Sequence, residues 1–374
     1  MSSDHLRLFT GDDDTDGHFS KTPNAAQVDG SRLTLKECFE RYLLPDLVLD
    51  RAPATISGYR TALRHWYDGT TNPVVVDIAD QTVRVWRETM VRGGMSAPTL
   101  AKQWRFLRAI LRRIGPRETG NPAGNGVIGQ VPYCQPVHGA LKHSYRRIVS
   151  DQDLGACYEA CRLANWPRTD VAAPTMWRAA LVLWHTYGFR TQDLFATKRG
   201  FAGIGWKNVS FAVECPDPQV EASNPHGWLS YVPTKTQRTS GEAVIVPLTE
   251  CVRAHLQAIQ QDRVAVFPCP VSSKTFYDGI WKLIQGEAQA IAVARSQAYR
   301  SFLPRHLRTT ANNAWSRLTP GLGEWVLGHA KRGVNARFYT IVIQDLVEGA
   351  ARFPTPQAFL AGMEQLPRVQ MRLF

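Results

Sequence analysis

Between Gly115 and Pro136 the chain runs through Gly115-Pro116, Asn121-Pro122, Gly124, Gly126, Pro132 and Pro136, a density of breakers that no helix or strand crosses. This stretch divides the 374 residues into two parts, each long enough to bury a core of its own. The two parts are patterned differently. From Thr34 to Ile114 the apolar residues recur at helical spacing. Leu35, Phe39, Tyr42 and Leu43 form one stripe that stops near Pro45; Ile56, Tyr59, Leu63 and Trp66 form a second after Pro53. Val83 and Trp86 belong to a third helix over about 78–91, ended by Gly93-Gly94. Leu100, Trp104, Leu107, Ile110, Leu111 and Ile114 mark a fourth that opens near Pro98.

Beyond the break, helices alternate with a short stretch of strand character. Ser150-Asp151-Gln152-Asp153 has the form of an N-cap, and a helix is expected over about 175–187. Two apolar runs, Trp228–Val232 and Ala243–Leu248, flank a turn at Thr239-Ser240-Gly241 and read as a hairpin. Helices follow at about 249–260, 274–295, 305–317 and 321–328, and 341–374 reads as helix and coil. The expected organisation is an acidic arm over 1–31, a helical bundle over 32–117, a linker over 118–147, a mixed domain over 148–345 and a tail over 346–374. Leu346, Val347, Phe353, Phe359, Leu360 and Met363 in that tail suit docking on a neighbouring copy or packing on their own domain. Overall the chain should be mostly α with a small β-sheet.

The formal net charge of +12 favours a polyanionic partner, nucleic acid or an anionic membrane. No stretch approaches the ~20 apolar residues of a membrane span, and the N-terminus lacks signal-peptide order, so nucleic acid is the expectation and membrane is not. The seven cysteines are scattered, without a C-x-x-C pair or a histidine at zinc spacing. They read as reduced thiols of a cytoplasmic protein with no metal site. The positive charge is concentrated: Arg92, Lys102, Arg105, Arg108, Arg112, Arg113 and Arg117 occur with no acidic residue until Glu118. One sign of charge on a helix face repels itself unless phosphates relieve it. Lys102, Arg105, Arg108 and Arg112, extended by Arg60 and Arg64, are therefore expected to hold the backbone of duplex DNA, positioning it without reading bases.

Four segments of the second part call for a joint explanation. Gly188-Phe189-Arg190 is followed by Asp193-Leu194, which can hold the guanidinium. Lys235 stands at the end of the first hairpin run. Arg305-His306-Leu307-Arg308 opens a helix, and Leu327-Gly328-His329 is followed ten residues later by Tyr339. In this order the segments resemble the tyrosine recombinase, or phage integrase, family: an Arg-x-x-Glu/Asp-Leu box, a hairpin lysine, a His-x-x-Arg box, a Leu-Gly-His box and a tyrosine. The resemblance covers about 32–345. It implies an N-terminal helical core-binding (SAM-like) bundle and a C-terminal mixed α/β catalytic domain. It also implies a catalytic set of Arg190, Lys235, Arg305, Arg308, His329 and Tyr339. Arg305 occupies the family's histidine position with His306 next to it, and the His329–Tyr339 gap is one residue longer than the commonest form.

The residue types suit the chemistry that the resemblance implies. Arg190 and Arg308 present donor forks to the non-bridging oxygens of a phosphodiester and stabilise the charge of its five-coordinate transition state. Arg305 supplies further positive charge. Tyr339, a phenol with a free pKa of ~10, is the nucleophile, and His329 or His306 accepts its proton. Lys235 protonates the departing 5′ oxygen. The 3′-phosphotyrosyl product stores the broken bond, so neither cofactor nor metal is required. Site-specific recombination of a mobile element by a homotetramer on paired DNA sites, with accessory DNA-bending proteins as possible helpers and the nucleoid as location, is the leading expectation. Relatives with the same chemistry, a type IB topoisomerase-like or telomere-resolving enzyme, and a catalytically weak DNA-binding regulator are the alternatives.

Overall fold

The structure is a computed structural model that describes residues 32–135, 147–197, 202–235, 237, 241–269, 271–272, 274–328 and 339–366, with Thr197 and Tyr339 to Ile341 in backbone only. Its contacts divide the chain into two compact units, Met1–His143 and Ser144–Phe374. The acidic arm over 1–31 lies outside the described residues.

The first unit is a bundle of helices. Helix α1 (Leu35–Cys38) opens on a reciprocal cap: the Thr34 hydroxyl accepts from Glu37 N at 3.4 Å and Thr34 N donates to the Glu37 carboxylate at 2.7 Å. Contrary to the stop expected near Pro45, a π-type turn over Phe39–Leu43 carries the chain into α2 (Leu44–Asp50). Pro45 falls in the first turn of α2, where its missing N–H has no intrahelical partner to lose. Next come α3 (Pro53–Gly69), α4 (Asp80–Arg92) and α5 (Ala97–Ile114). The stripes read from the sequence meet in one core, with Trp66, Trp86 and Trp104 in series at ring separations of 6.1 and 6.2 Å.

Residues 118–135 are not a free linker. Helix α5 ends with carbonyls that have no intrahelical donor, and this segment supplies donors. Asn121 Nδ2 donates to Arg112 O at 2.6 Å, Asn125 N to Arg113 O at 2.9 Å and Ile128 N to Ile114 O at 3.0 Å. Ile128 is buried in the bundle core. Residues 136–146 lie outside the described residues.

The second unit begins with α6 (Asp151–Ala160), capped by the Ser150 hydroxyl on Asp153 N at 3.1 Å as expected. Helix α7 (Ala173–Tyr187) is buried almost all round and leads into the short α8 (Thr191–Leu194) and strand β1 (Phe195–Thr197). Strands β2 (Val209–Ser210), β3 (Trp228–Tyr231) and β4 (Val244–Pro247) form an antiparallel sheet, with Trp228 opposite Pro247 and Tyr231 opposite Val244. The turn expected at Thr239-Ser240 lies outside the described residues. Helix α9 (Glu250–Ala258) follows, then β5 (Phe267–Cys269), which pairs in parallel with β1. A π-type turn over Thr275–Trp281 opens α10 (Lys282–Ala294); then come α11 (Pro304–Leu318), α12 (Leu322–Val326), α13 (Tyr339–Ala351) and α14 (Gln357–Glu364). Leu346, Phe353 and Phe359 of the expected tail are buried in this unit's own core.

Helix α14 packs through Phe359 on the buried His185 and on Tyr158, whose hydroxyl meets a second buried histidine. The His185 ring packs against Phe353 and Phe359, each at 5.5 Å. His255 is held between the Tyr158 hydroxyl and Cys251 O, both at 2.7 Å. Burial pushes both rings down to about 4, from an ordinary 6.5. A histidine that stays neutral when folded but charges when unfolded stabilises the fold fully above pH ~6.5 and less as pH falls towards 4. Urea unfolding should therefore show the unfolding free energy falling steadily from pH 7 to 4.5, by up to about 3 kcal/mol for each ring, and the midpoint with it, with a shallower fall in His185→Met. A midpoint independent of pH over that range would contradict this.

Candidate active site

Three backbone-level clamps draw the candidate segments together. In the first, Arg190 caps α8, and its guanidinium meets Asp193 at 3.4 Å. The other Asp193 oxygen accepts from Thr234 N at 2.9 Å, one residue before Lys235. One nearly inaccessible carboxylate thus fixes both the arginine and the end of the hairpin strand. The sequence pointed to its first role; the second depends on a partner 41 residues away.

In the second clamp, Arg308 on α11 donates to Gly188 O at 2.8 Å and to Leu327 O at 2.7 Å. It joins the segment before Arg190 to the segment before His329. Gly188 ends α7 with φ +61°, and a Cβ there would meet Leu327 Cδ2 at 2.7 Å and Arg308 Cα at 2.9 Å. In the third, Gly328, also at φ +61°, lies so close to the hairpin that a Cβ would sit 2.8 Å from both Pro233 Cγ and Val244 Cγ2. Only glycine satisfies the backbone and the approach together.

The clamps leave two cations close together. Burial, then the nearby Arg190 charge, lowers Arg308 to about 10, so it remains charged at neutral pH. Tyr231 lies beneath them with its ring 4.8 Å from Phe189. Burial, with Asp193 nearby, pushes its phenol up, so it stays a neutral wall of the site. Two guanidiniums set against the Asp193 carboxylate make a preorganised anion site.

Lys235 is exposed beyond Thr234. Arg305 is exposed on the first turn of α11, with no hydrogen-bond or ion-pair partner among the described residues. His306 does something the sequence did not suggest: its Nδ1 accepts from Leu303 N at 3.2 Å, at the start of α11. Burial and the charges of Arg147, Arg305 and Arg300 depress its pKa. The neutral ring then carries its proton on Nε2. His329 and the Tyr339 side chain lie outside the described residues; the Tyr339 backbone begins α13, which packs on β4 and α12. Among the described residues no cluster of His, Cys, Asp and Glu could hold a metal ion.

In the first unit, Lys102, Arg105, Arg108 and Arg112 are exposed on α5, and Arg60 and Arg64 are exposed one turn apart on α3. Not all the charge in the run is available to a ligand. Arg113 binds Asp46 at 2.5 Å, Tyr42 O at 2.9 Å and Ala123 O at 3.1 Å, and Arg112 also donates to Gly120 O. These two arginines hold residues 118–135 on the bundle. No helix of the described residues is long and apolar enough to cross a membrane.

No family model matches the chain, and no curated protein matches it either. Solved structures do. Over 85% of its length the chain is similar to a lambda integrase tetramer bound to a Holliday junction, at 15% identity, 81% coverage of that chain and a TM-score of 0.55. A lambda integrase dimer bound to a COC′ core site matches over 81% of this chain and 97% of that one, at 14% identity and a TM-score of 0.54. The Tn1549 transposon integrase with circular intermediate DNA matches over 90% and 100%, at 13% identity and a TM-score of 0.52.

The clamp at Gly328 can be tested against a glycine with a similar backbone and no neighbours. Gly321 also has a positive φ, but a Cβ there meets nothing within 4 Å. Gly321→Ala should cost about 1 kcal/mol for its left-handed backbone, and Gly328→Ala appreciably more, in urea unfolding. Equal costs would show that Gly328 is not pressed against the hairpin.

Proposed function

We propose that this chain, which has the fold of the tyrosine recombinases, is a site-specific recombinase that cuts and rejoins DNA through a covalent link to Tyr339. The observation that carries the proposal is the placing of Arg190 and Arg308 beside one another, fixed from three sides by the segments that lead to Lys235 and His329. Such a pair matches the two non-bridging oxygens of a phosphodiester and is preorganised for the extra charge of the five-coordinate state.

The Tyr339 oxygen attacks phosphorus, the bond from phosphorus to the 5′ oxygen breaks, and Lys235 supplies the proton which that oxygen takes up. The phenolic proton goes to His329 rather than His306. With Nδ1 of His306 accepting from Leu303 N, its remaining nitrogen is a donor and has no lone pair for a proton. The cationic pocket lowers the cost of forming phenolate. The reverse attack by a 5′-hydroxyl reseals a strand, so the reaction needs no outside energy source. Arg305 stands one turn from Arg308 and adds positive charge at the edge of the site.

The partner is duplex DNA, held by Arg60, Arg64, Lys102, Arg105 and Arg108 of the first unit and by the pocket of the second. Exchange between two sites calls for four protomers. The solved neighbours include a dimer and a tetramer on DNA.

A nicked suicide duplex carrying the end sequence of the proposed element tests the reading. The wild-type chain should give a detergent-resistant protein–DNA adduct in the presence of EDTA, and Tyr339→Phe should give none. An adduct that survives in Tyr339→Phe would remove the tyrosine from its role. Charge reversal at Arg105 and Arg108 should weaken duplex binding and flatten its salt dependence by about 0.9 for each phosphate no longer neutralised. Unchanged binding would take α5 out of the interface.

A further inference from the structure

Beside the candidate pocket lies a second group of cations. Arg147 reaches across to the segment before α11 and donates to the carbonyls of Arg300 and Ser301. Asp153 is the carboxylate of the group, and both its oxygens are engaged. One accepts from Arg300 N at 2.9 Å, and the other faces Arg147 at 3.7 Å. Gln152 fixes the same segment through Ala298 O at 3.0 Å. The backbone of 298–301 is thus held rigidly, while the Arg300 side chain is exposed. So is that of Arg305, and neither guanidinium has an acceptor among the described residues.

The group is electrostatically unbalanced. Arg147, Arg300 and Arg305 all act on the His306 imidazole, and Arg300 also opposes the charge of Arg147. Three guanidiniums against the buried Asp153 carboxylate repel each other unless an external anion is present. The position suggests which anion. Arg305 precedes Arg308 by three residues on α11, an axial step of about 4.5 Å. Successive phosphates of one DNA strand advance by about 3.4 Å along the duplex axis. On the recombinase reading, with the scissile phosphate on Arg190 and Arg308, the first turn of α11 stands within a phosphate spacing or two along the same strand.

We infer that Arg300 and Arg305 grip the DNA backbone next to the scissile phosphate, and that Arg147 is the positioning residue that holds the Arg300 segment in place. This inference rests on the recombinase reading and assigns Arg305 to the neighbouring phosphate rather than to the reacting one. The grip keeps the strand in register while the bond is broken.

Arg300→Gln in the full chain tests it, because the backbone bonds of residue 300 remain. Anisotropy with a labelled duplex of about 30 bp and arbitrary sequence, titrated at several salt concentrations, gives the number of phosphates neutralised. The slope of log affinity against log salt should fall by about 0.9, the value for a single phosphate, with affinity several-fold weaker. Arg300→Lys should restore most of the slope, because it keeps the charge. An unchanged slope and affinity in Arg300→Gln would overturn the inference, as would a slope that falls equally in the lysine variant. Binding to arbitrary DNA is measured without strand cutting, so this outcome is separate from that of the covalent adduct.

Discussion

Everything in the second unit that bears on chemistry depends on where the Arg308 guanidinium is anchored. It donates to Gly188 O and Leu327 O, two carbonyls from segments far apart in sequence that end separate helices. A helix end leaves carbonyls without donors, and a charged donor is the strongest partner they can find. Meeting that need also places a cation next to Arg190. Asp193 repeats the arrangement with opposite sign, taking Arg190 on one oxygen and the Thr234 amide on the other. The site is therefore fixed by backbone groups, and the side chains that would meet a phosphate are displayed on a frame that packing has already set.

Much of this frame is legible in the sequence. Helical stripes mark α3, α4 and α5 because a bundle core imposes period 3.6 on each helix, and Trp66, Trp86 and Trp104 all fall on the buried side. The hairpin of β3 and β4 is readable from two apolar runs. The parallel pair of β1 and β5 is not: each is three residues long, too short for any period to register. Residues 118–135 look like a linker because glycine and proline exclude regular structure but say nothing of packing. Their amides satisfy the end of α5, a relation visible only in three dimensions. Within the site, chemical type and order identify the arginines, while the cap formed by His306 and the second bond of Asp193 have no local signature.

The two units divide the proposed labour in physically different ways. On α3 and α5 the cations are exposed, so their attraction for DNA is long-ranged, sensitive to salt and indifferent to sequence. In the second unit Arg190 and Arg308 are half-buried and geometrically fixed, which suits discrimination between ground state and transition state. Arg112 and Arg113 show that a run of like charge in sequence need not be a binding face throughout, since both are tied to carbonyls of the segment they hold.

If the pocket around Arg190 and Arg308 directs a phenol onto a phosphodiester, the chemistry of the cut ends records it. Protease digestion of the trapped complex followed by mass spectrometry identifies both the modified residue and the polarity of the break. The expected product is a 3′-phosphate linked to the peptide that contains Tyr339, with a free 5′-hydroxyl on the released strand. A link to Tyr299 or any other residue, or a 5′-phosphate at the junction, would contradict it.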